Sequence, residues 1–414
     1  MIDKDLKIYD TVCTGCSACT EACAFPDDNG INPIQLIQNT KGLYVPRIDG
    51  DICTTCMACY KACPTEDKLY NSDITYEKYQ DKIGECYFGY SLDKEHRYEA
   101  ATAGIVTEIA STLLEMGHID GVVSSYQDSN NNIITKIFTD SIEVKKTRGS
   151  IYRQVPLLNG LAEKIIEGKH KKVLVIGLSC HIEGLKTLHK TNRYLKKNVE
   201  FITIALFCKQ TKTEGFSDTI RKLLKVKNND TITYRGKGWP GWARTSEKNK
   251  IKYAIRGISR LWASYAFAPD YCMTCTDPLG VIADISVGDA WVDKYANDSI
   301  GSSLFVANSA AGLEVIKLLK KSDKIHIEKE DKTLIIESQN PYYVKFKTSN
   351  LKERIAFYNN EGTNTIPKPY LRLLKLIKLN KKLHESKIMF YCPTLILRIY
   401  NKIYRTVLKK METK

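Results

Sequence analysis

The sequence predicts a mixed α+β and α/β chain: a small cysteine-rich unit, a larger α/β body and a basic helical tail. Three observations predict it. Eight of the fourteen cysteines fall within residues 1–70 at a spacing that occurs twice, strand-like and helix-like patterns alternate from about residue 97 to 345, and positive charge gathers in the last fifty residues. At 414 residues the chain is too long for one ordinary domain. Its 43% apolar and 26% charged residues mark a globular chain. The expected divisions are the cysteine-rich unit over 1–70, a polar, tyrosine-rich linker over 71–96, the body over 97–345 and the tail over 346–414.

The cysteine-rich unit carries its own chemistry. Cys13-x2-Cys16-x2-Cys19-x3-Cys23 is followed by Cys53-x2-Cys56-x2-Cys59-x3-Cys63-Pro64. This is the spacing that two-cluster bacterial ferredoxins use twice over. Three cysteines in a tight loop present sulfurs to three corners of a cubane, and the fourth, a helical turn further on, points to the other cluster. One 4Fe–4S cluster is therefore expected on Cys13, Cys16, Cys19 and Cys63, and a second on Cys53, Cys56, Cys59 and Cys23. Small residues in the loops (Gly15, Ala18, Ala58) let backbone amides approach the cluster. The competing reading, two zinc sites, normally uses paired CxxC units rather than four cysteines in eleven residues.

The body reads as α/β. Ala103–Met116 has helical spacing of Ile105, Ile109 and Leu113 and stops at Gly117. Ile119–Ser125 reads as a strand and Leu157–Ile166 as a helix. Val173–Leu178, His181–Leu195 and Phe201–Cys208 read as strand, helix and strand, the pattern of a βαβ crossover between parallel strands. Shorter strands are expected near Thr231–Tyr234, Ile282–Ser286 and Leu304–Ala307. Cys180 and Cys208 each fall just past the end of an expected parallel strand, the edge where open α/β sheets bind ligands. Cys272-x2-Cys275 lies in a loop. Together these four thiols suffice for a third 4Fe–4S cluster; a zinc half-site or ordinary buried cysteines remain the alternatives. Cys86 and Cys392 have no partner at ligand spacing and read as ordinary thiols.

Two features carry less. Gly236-Lys-Gly238-Trp-Pro-Gly241 fits GxGxxG, but no helix pattern follows it and no acidic residue stands at the required distance, so it reads as a rigid turn exposing Trp239 and Trp242 rather than a dinucleotide loop. His181, beside Cys180, reads as a helix-start residue rather than a proton donor.

Charge and hydropathy limit the partners. The formal charge is +15, but residues 365–414 hold thirteen Lys/Arg against Glu385 and Glu412, a net +11 that leaves about +4 for the rest. The body is therefore close to neutral, which argues against nucleic acid as a partner. The longest apolar stretches fall far short of the about 18–20 residues of a membrane span. With no apolar signal core at the start, the expected location is cytoplasmic. Beyond Pro393, Ile396, Ile399, Tyr400, Ile403, Tyr404 and Val407 share one helical face, which suggests either a docked terminal helix or peripheral contact with anionic membrane.

The body also resembles the coenzyme F420 hydrogenase/dehydrogenase beta-subunit family, here with a fused two-cluster ferredoxin domain. The resemblance spans about residues 10–345. It rests on Thr102-Ala-Gly104-Ile-Val-Thr107, Gly117-His-Ile-Asp120-Gly-Val-Val and Arg148-Gly-Ser150-Ile-Tyr152. It continues through Val175-Ile-Gly177-Leu-Ser-Cys180-His-Ile-Glu-Gly-Leu185, Leu206-Phe-Cys208, Cys272-Met-Thr-Cys275 and Asp284-Ile-Ser-Val-Gly288-Asp289-Ala-Trp291. It implies a non-covalent FAD beside a body cluster, with Thr102, Gly104, Arg148, Ser150, Tyr152, Gly177, Asp289 and Trp291 as candidate contacts. The body is then a mixed α/β flavin and iron–sulfur domain. The implied function is an oxidoreductase passing electrons between a redox partner protein or ferredoxin and a small-molecule hydride acceptor or donor, coenzyme F420 or similar. Two alternatives remain: a ferredoxin-dependent reductase in cell-surface polysaccharide biosynthesis, and a non-catalytic electron-transfer subunit.

Overall fold

The structure is a computed structural model that describes residues 13–23, 32–65, 74–226, 231–245, 262, 265–358 and 368–385. Its strands are β1 (Ile34–Gln38), β2 (Tyr44–Ile48), β3 (Glu85–Ser91), β4 (Gly121–Gln127), β5 (Ile133–Phe138), β6 (Lys172–Leu178), β7 (Glu200–Leu206), β8 (Ile232–Thr233), β9 (Arg244–Thr245), β10 (Ile285–Asp289), β11 (Ser303–Ala307) and β12 (Ile325–Lys329). Eight of them form one sheet in the order β12-β3-β11-β10-β7-β6-β4-β5. Its centre, β10-β7-β6-β4, is parallel, and its flanks are antiparallel.

The central strands read as unbroken apolar runs because both faces are covered. On β6, Leu174 joins one core with Ile105, Ile109 and Leu113 of the helix Ile105–Glu115, while Val173 and Val175 join the other with Ile182 and Leu185 of the helix Ser179–Thr191. The helix at 105 begins where expected because Gly104 takes the left-handed φ of +69° that an N-cap without a β-carbon tolerates. The expected β6–helix–β7 crossover joins parallel strands in register from Lys172↔Glu200 to Leu178↔Leu206. Its helix is shorter than its apolar pattern: Asn192, extended at φ −82° and ψ 113°, closes Ser179–Thr191 and caps a separate helix, Arg193–Asn198. The helix expected over Leu157–Ile166 starts only at Leu161, after the left-handed Gly160.

Two expected boundaries are corrected. The segment 71–96 is no linker. Residues Glu85–Ser91 form β3 inside the large sheet, between β11 and β12, with Tyr87 buried on one face and Cys86 and Phe88 on the other. Its tyrosines bury their rings and keep a polar tip, so a tyrosine-rich stretch can serve as a core strand. Nor does the tail begin at 346. Lys347 and Arg354 are buried, and Leu374 and Ile377 of the helix Lys368–Glu385 pack with Tyr265, Met273, Tyr343, Phe346 and Phe357. Residues 386–414, including Cys392, Pro393 and the second amphipathic pattern, lie outside the described residues. No described helix is long and apolar enough to cross a membrane.

Candidate functional site

The two halves of the cysteine-rich unit share a backbone device. Gly15 and Thr55, between the first and second cysteines, both have positive φ, as do Ser17 and Met57 between the second and third. The second left-handed residue turns each loop into a short helix, Ala18–Ala22 or Ala58–Lys61, that carries the third cysteine and leads to the fourth. The charges acting on Cys19 come from Cys16, Cys13, Cys63 and then Cys59; those acting on Cys59 come from Cys23, Cys53 and Cys56. Each fourth cysteine thus sits with the other half's loop. The halves differ in exposure: Cys16 is buried, Cys56 exposed. Burial pushes the Cys16 and Cys59 thiols up to about 11.

Both halves are fastened to the body, the Cys13–Cys19 loop, here the inner loop, most closely. Leu158 N–H donates to Cys16 O at 3.1 Å, and Thr187 Oγ1 donates to Ala62 O at 2.7 Å. Glu21 accepts from the amides of Gly160 (2.6 Å) and Ala162 (2.9 Å). Gln154, nearly buried, donates to Thr14 O at 2.9 Å and accepts from Tyr44 N–H.

The body's cysteines come together at the sheet edge. Cys180 opens the helix after β6, Cys208 follows β7, and the short helix Tyr271–Thr274 brings Cys272 and Cys275 opposite; all four line one cavity. Burial, then Cys208, Cys275 and Cys272, pushes the Cys180 thiol well up. Thr211 N–H donates to Cys272 Sγ at 3.4 Å, and burial pushes the Cys208 thiol well up against the opposing backbone hydrogen bond from Gln210. Four thiols around one cavity, two of them met by backbone amides, form a donor set suited to an iron–sulfur cluster. The 272–282 loop is pinned by a residue of the expected linker: Tyr79, wholly buried, donates to Asp277 Oδ1 at 2.6 Å and accepts from Leu279 N–H at 2.9 Å.

His181 is held neutral, with burial pushing its pKa down to about 4. Its Nδ1 accepts from Leu178 N–H at 3.1 Å, so it caps the turn into the Cys180 helix. Cys86 is buried in β3, away from the cavity-lining thiols, its pKa pushed up to about 11 by burial.

The expected flavin contacts divide. Gly104 starts the 105–115 helix beside His96, whose Nε2 lies 2.9 Å from Thr107 Oγ1 and whose buried Nδ1 has no hydrogen-bond partner among the described residues. Arg148 acts on the same imidazole. An unpartnered polar atom beside a helix start and an arginine fits an anionic group such as a dinucleotide phosphate. Thr102 joins this group to the β10 end, since Ser302 O accepts from both Thr102 Oγ1 (3.2 Å) and Ala290 N–H (3.1 Å). There Asp289 pairs with Arg235 at 2.8 Å, and the half-exposed Trp291 lies 4.4 Å from Trp239, ring centre to ring centre. Ser150 is half-buried in the loop between. Tyr152 packs against Phe216, Tyr234 and Trp262 and hydrogen-bonds Arg235. Gly177 is explained by packing: a β-carbon there would lie 2.8 Å from Leu157 Cδ2 and 3.0 Å from His181 Cβ.

The glycine turn at 236–241 leads into β9 and no helix, with Gly236, Lys237, Gly238 and Gly241 at positive φ. Trp239 and Trp242 are half-buried rather than exposed, because the turn folds onto Tyr98 and Ser299. Sequence reasoning missed His96, Arg235, Lys347 and Arg354. Arg235 abuts a glycine turn that lacks the pattern of a dinucleotide loop, and Lys347 and Arg354 fall inside the expected tail and belong to no motif.

Residues 86–162 and 170–333 match the models of the N-terminal and C-terminal parts of the coenzyme F420 hydrogenase/dehydrogenase beta subunit, and residues 12–67 match a 4Fe–4S dicluster domain. The chain is 27% identical over 284 residues to the coenzyme F420 hydrogenase subunit beta of Methanosarcina barkeri, covering 62% of this chain and 93% of that one. It is 23% identical over 261 residues to the coenzyme F420 hydrogenase subunit beta of Methanococcus voltae, covering 58% and 91%. A chain of the F420-reducing NiFe hydrogenase complex from Methanosarcina barkeri shares the fold, with a TM-score of 0.53 at 19% identity, covering 68% of this chain and 96% of that one.

Proposed function

This chain belongs to the coenzyme F420 hydrogenase/dehydrogenase beta-subunit family, with an N-terminal 4Fe–4S dicluster domain, and from that premise we propose that it is an iron–sulfur flavoprotein oxidoreductase. It would pass electrons between a redox protein partner and a two-electron small molecule, coenzyme F420 or a similar hydride carrier. Bound clusters supply single-electron transfer, and a bound FAD supplies the exchange between single electrons and hydride.

One observation carries the reading. The Cys16 loop packs against Gly184, on the helix that carries Cys180, and Cys180, Cys208, Cys272 and Cys275 line one cavity, while Cys56 of the other half is exposed. In this reading the eight N-terminal cysteines hold two clusters and the four body cysteines a third. The exposed 53–60 loop, with Met57 and Tyr60 at its surface, faces the protein partner. The helix start at Gly104, with His96 and Arg148, holds the FAD phosphates, and Trp291 beside Arg235–Asp289 borders the hydride-carrier side.

The test is the anaerobically purified protein. We expect about twelve iron and twelve acid-labile sulfide per chain, extractable FAD, and F420-dependent dye reduction. In Cys272→Ala, iron falls to about eight, one cluster fewer. About eight iron in the wild type, unchanged by that substitution, removes the third cluster. Iron–sulfur absorbance without flavin makes the chain an electron carrier, and flavin without F420 activity points to another hydride partner.

A further inference from the structure

Two buried cations beyond the family-matched residues, Lys347 and Arg354, lie against the Cys272–Cys275 turn. Lys347 closes the helix Pro341–Lys347 and is fully buried. Its Nζ donates to the carbonyl of Cys272 and lies 5.6 Å from the centre of the Tyr343 ring. From the next helix, Leu351–Tyr358, Arg354 donates to Met273 O, and to Cys275 O at 3.2 Å. The Arg354 guanidinium also donates to Lys347 O at 2.6 Å, so the two cations form one unit clasping the Cys272–Cys275 turn. Burial pushes the Lys347 pKa down; the nearby Cys275 and Cys272 thiols oppose this, the Arg354 guanidinium adds to it, and the Cys208 thiol again opposes it.

Burying a charged ammonium is costly unless an opposite charge faces it. A cluster held by four thiolates carries net negative charge and gains one more negative charge when it takes up an electron. Each therefore answers the other, and the benefit is larger in the reduced state.

We propose that Lys347 is a positioning residue that sets the reduction potential of the cluster held by Cys180, Cys208, Cys272 and Cys275, its buried charge raising that potential and so favouring electron arrival from the Cys16 side. The inference rests on the third-cluster reading given above. The reaction it biases is a one-electron reduction of that cluster, with the electron supplied by the N-terminal pair of clusters and no proton or bond exchanged. The hydrogen bond to Cys272 O is separable from the charge, because a neutral amide can also donate it.

The test uses the full chain with its clusters loaded, titrated anaerobically with an electron-paramagnetic-resonance readout of each cluster. Lys347→Gln keeps a donor for Cys272 O and drops the charge. The expected result is a shift of this cluster's oxidised-to-reduced equilibrium toward the oxidised form by about tenfold, a fall of about 59 mV for one electron. The two N-terminal clusters keep their potentials, and Lys347→Arg restores most of the shift. Unchanged potential in Lys347→Gln at full iron content overturns the inference while leaving the third cluster standing. Loss of this cluster's iron in both Lys347→Gln and Lys347→Arg makes the lysine a structural pin and also overturns it. A wild type with only about eight iron, two clusters' worth, fails the underlying reading instead.

Discussion

Gly184 leaves the space that Cys16 occupies: a β-carbon built on Gly184 would lie 2.8 Å from Cys16 Sγ and 3.2 Å from its Cβ. Gly184 stands one helical turn after Cys180 on the same helix. The packing thus brings the inner ferredoxin-type loop and the body cavity onto adjacent turns of one helix. A glycine in a helix interior costs about 1 kcal/mol relative to alanine, so close approach is the reason to keep it.

Gly184→Ala is therefore expected to destabilise the protein despite its better helix propensity. Overpacking of this kind costs about 1–3 kcal/mol. Thermal unfolding falls, and the iron bound by the Cys13–Cys19 loop becomes easier to chelate. An unchanged or raised melting temperature with normal iron shows that the two surfaces part without cost.

The two cysteine loops are alike in backbone but should respond oppositely to substitution. Thr55 holds a left-handed φ of +55°, unfavourable for a β-branched residue, and its neighbourhood is exposed. Thr55→Gly is expected to be neutral or to stabilise by up to about 1 kcal/mol. At Gly15 a β-carbon would lie 2.3 Å from Gln154 Nε2, which is fixed by Thr14 O. Gly15→Ala should lose iron from the inner loop; equal iron retention in the two variants would show that the loops are interchangeable.

His96 gives a pH dependence. Burial lowers its pKa, reinforced by Lys145 and Arg148 and opposed by Glu108. The folded protein thus binds this proton less readily than the unfolded chain, whose histidine titrates near about 6.5. The stability it contributes is present above that pH and is lost as pH falls below it. Between pH 7.5 and 5.5 the melting temperature of the wild type should drop more steeply than that of His96→Gln. Parallel curves would show that His96 is not held neutral.

Ending the chain at residue 358 removes the helix Lys368–Glu385 and with it the buried Leu374 and Ile377, which pack beside Met273. Each such side chain is worth about 1.5–3 kcal/mol. The shortened protein should be less stable and lose the iron held by Cys272 and Cys275, whereas a chain ending at Glu385 should keep both. Full iron in the shorter chain would make the helix peripheral.

What the sequence determined by itself was local. Cysteine spacing is read within eleven residues, and the left-handed turns at 15 and 17 and at 55 and 57 repeat because that spacing does. The continuous apolar run of β6 and the 105–115 helix were equally legible, since burial on both faces or on one helical face leaves its period in the chain. Tertiary structure decided whatever depends on partners distant in sequence. Tyrosine-rich residues 85–91 became a sheet strand because β11 and β12 flank them, and Tyr79 became the pin of the 272–282 loop across nearly two hundred residues. Lys347 and Arg354 belong to no motif in the sequence, and only the fold placed them against Cys272 and Cys275. A charge count carries no information about burial, and only packing tells a surface lysine from one that faces a ring of thiols.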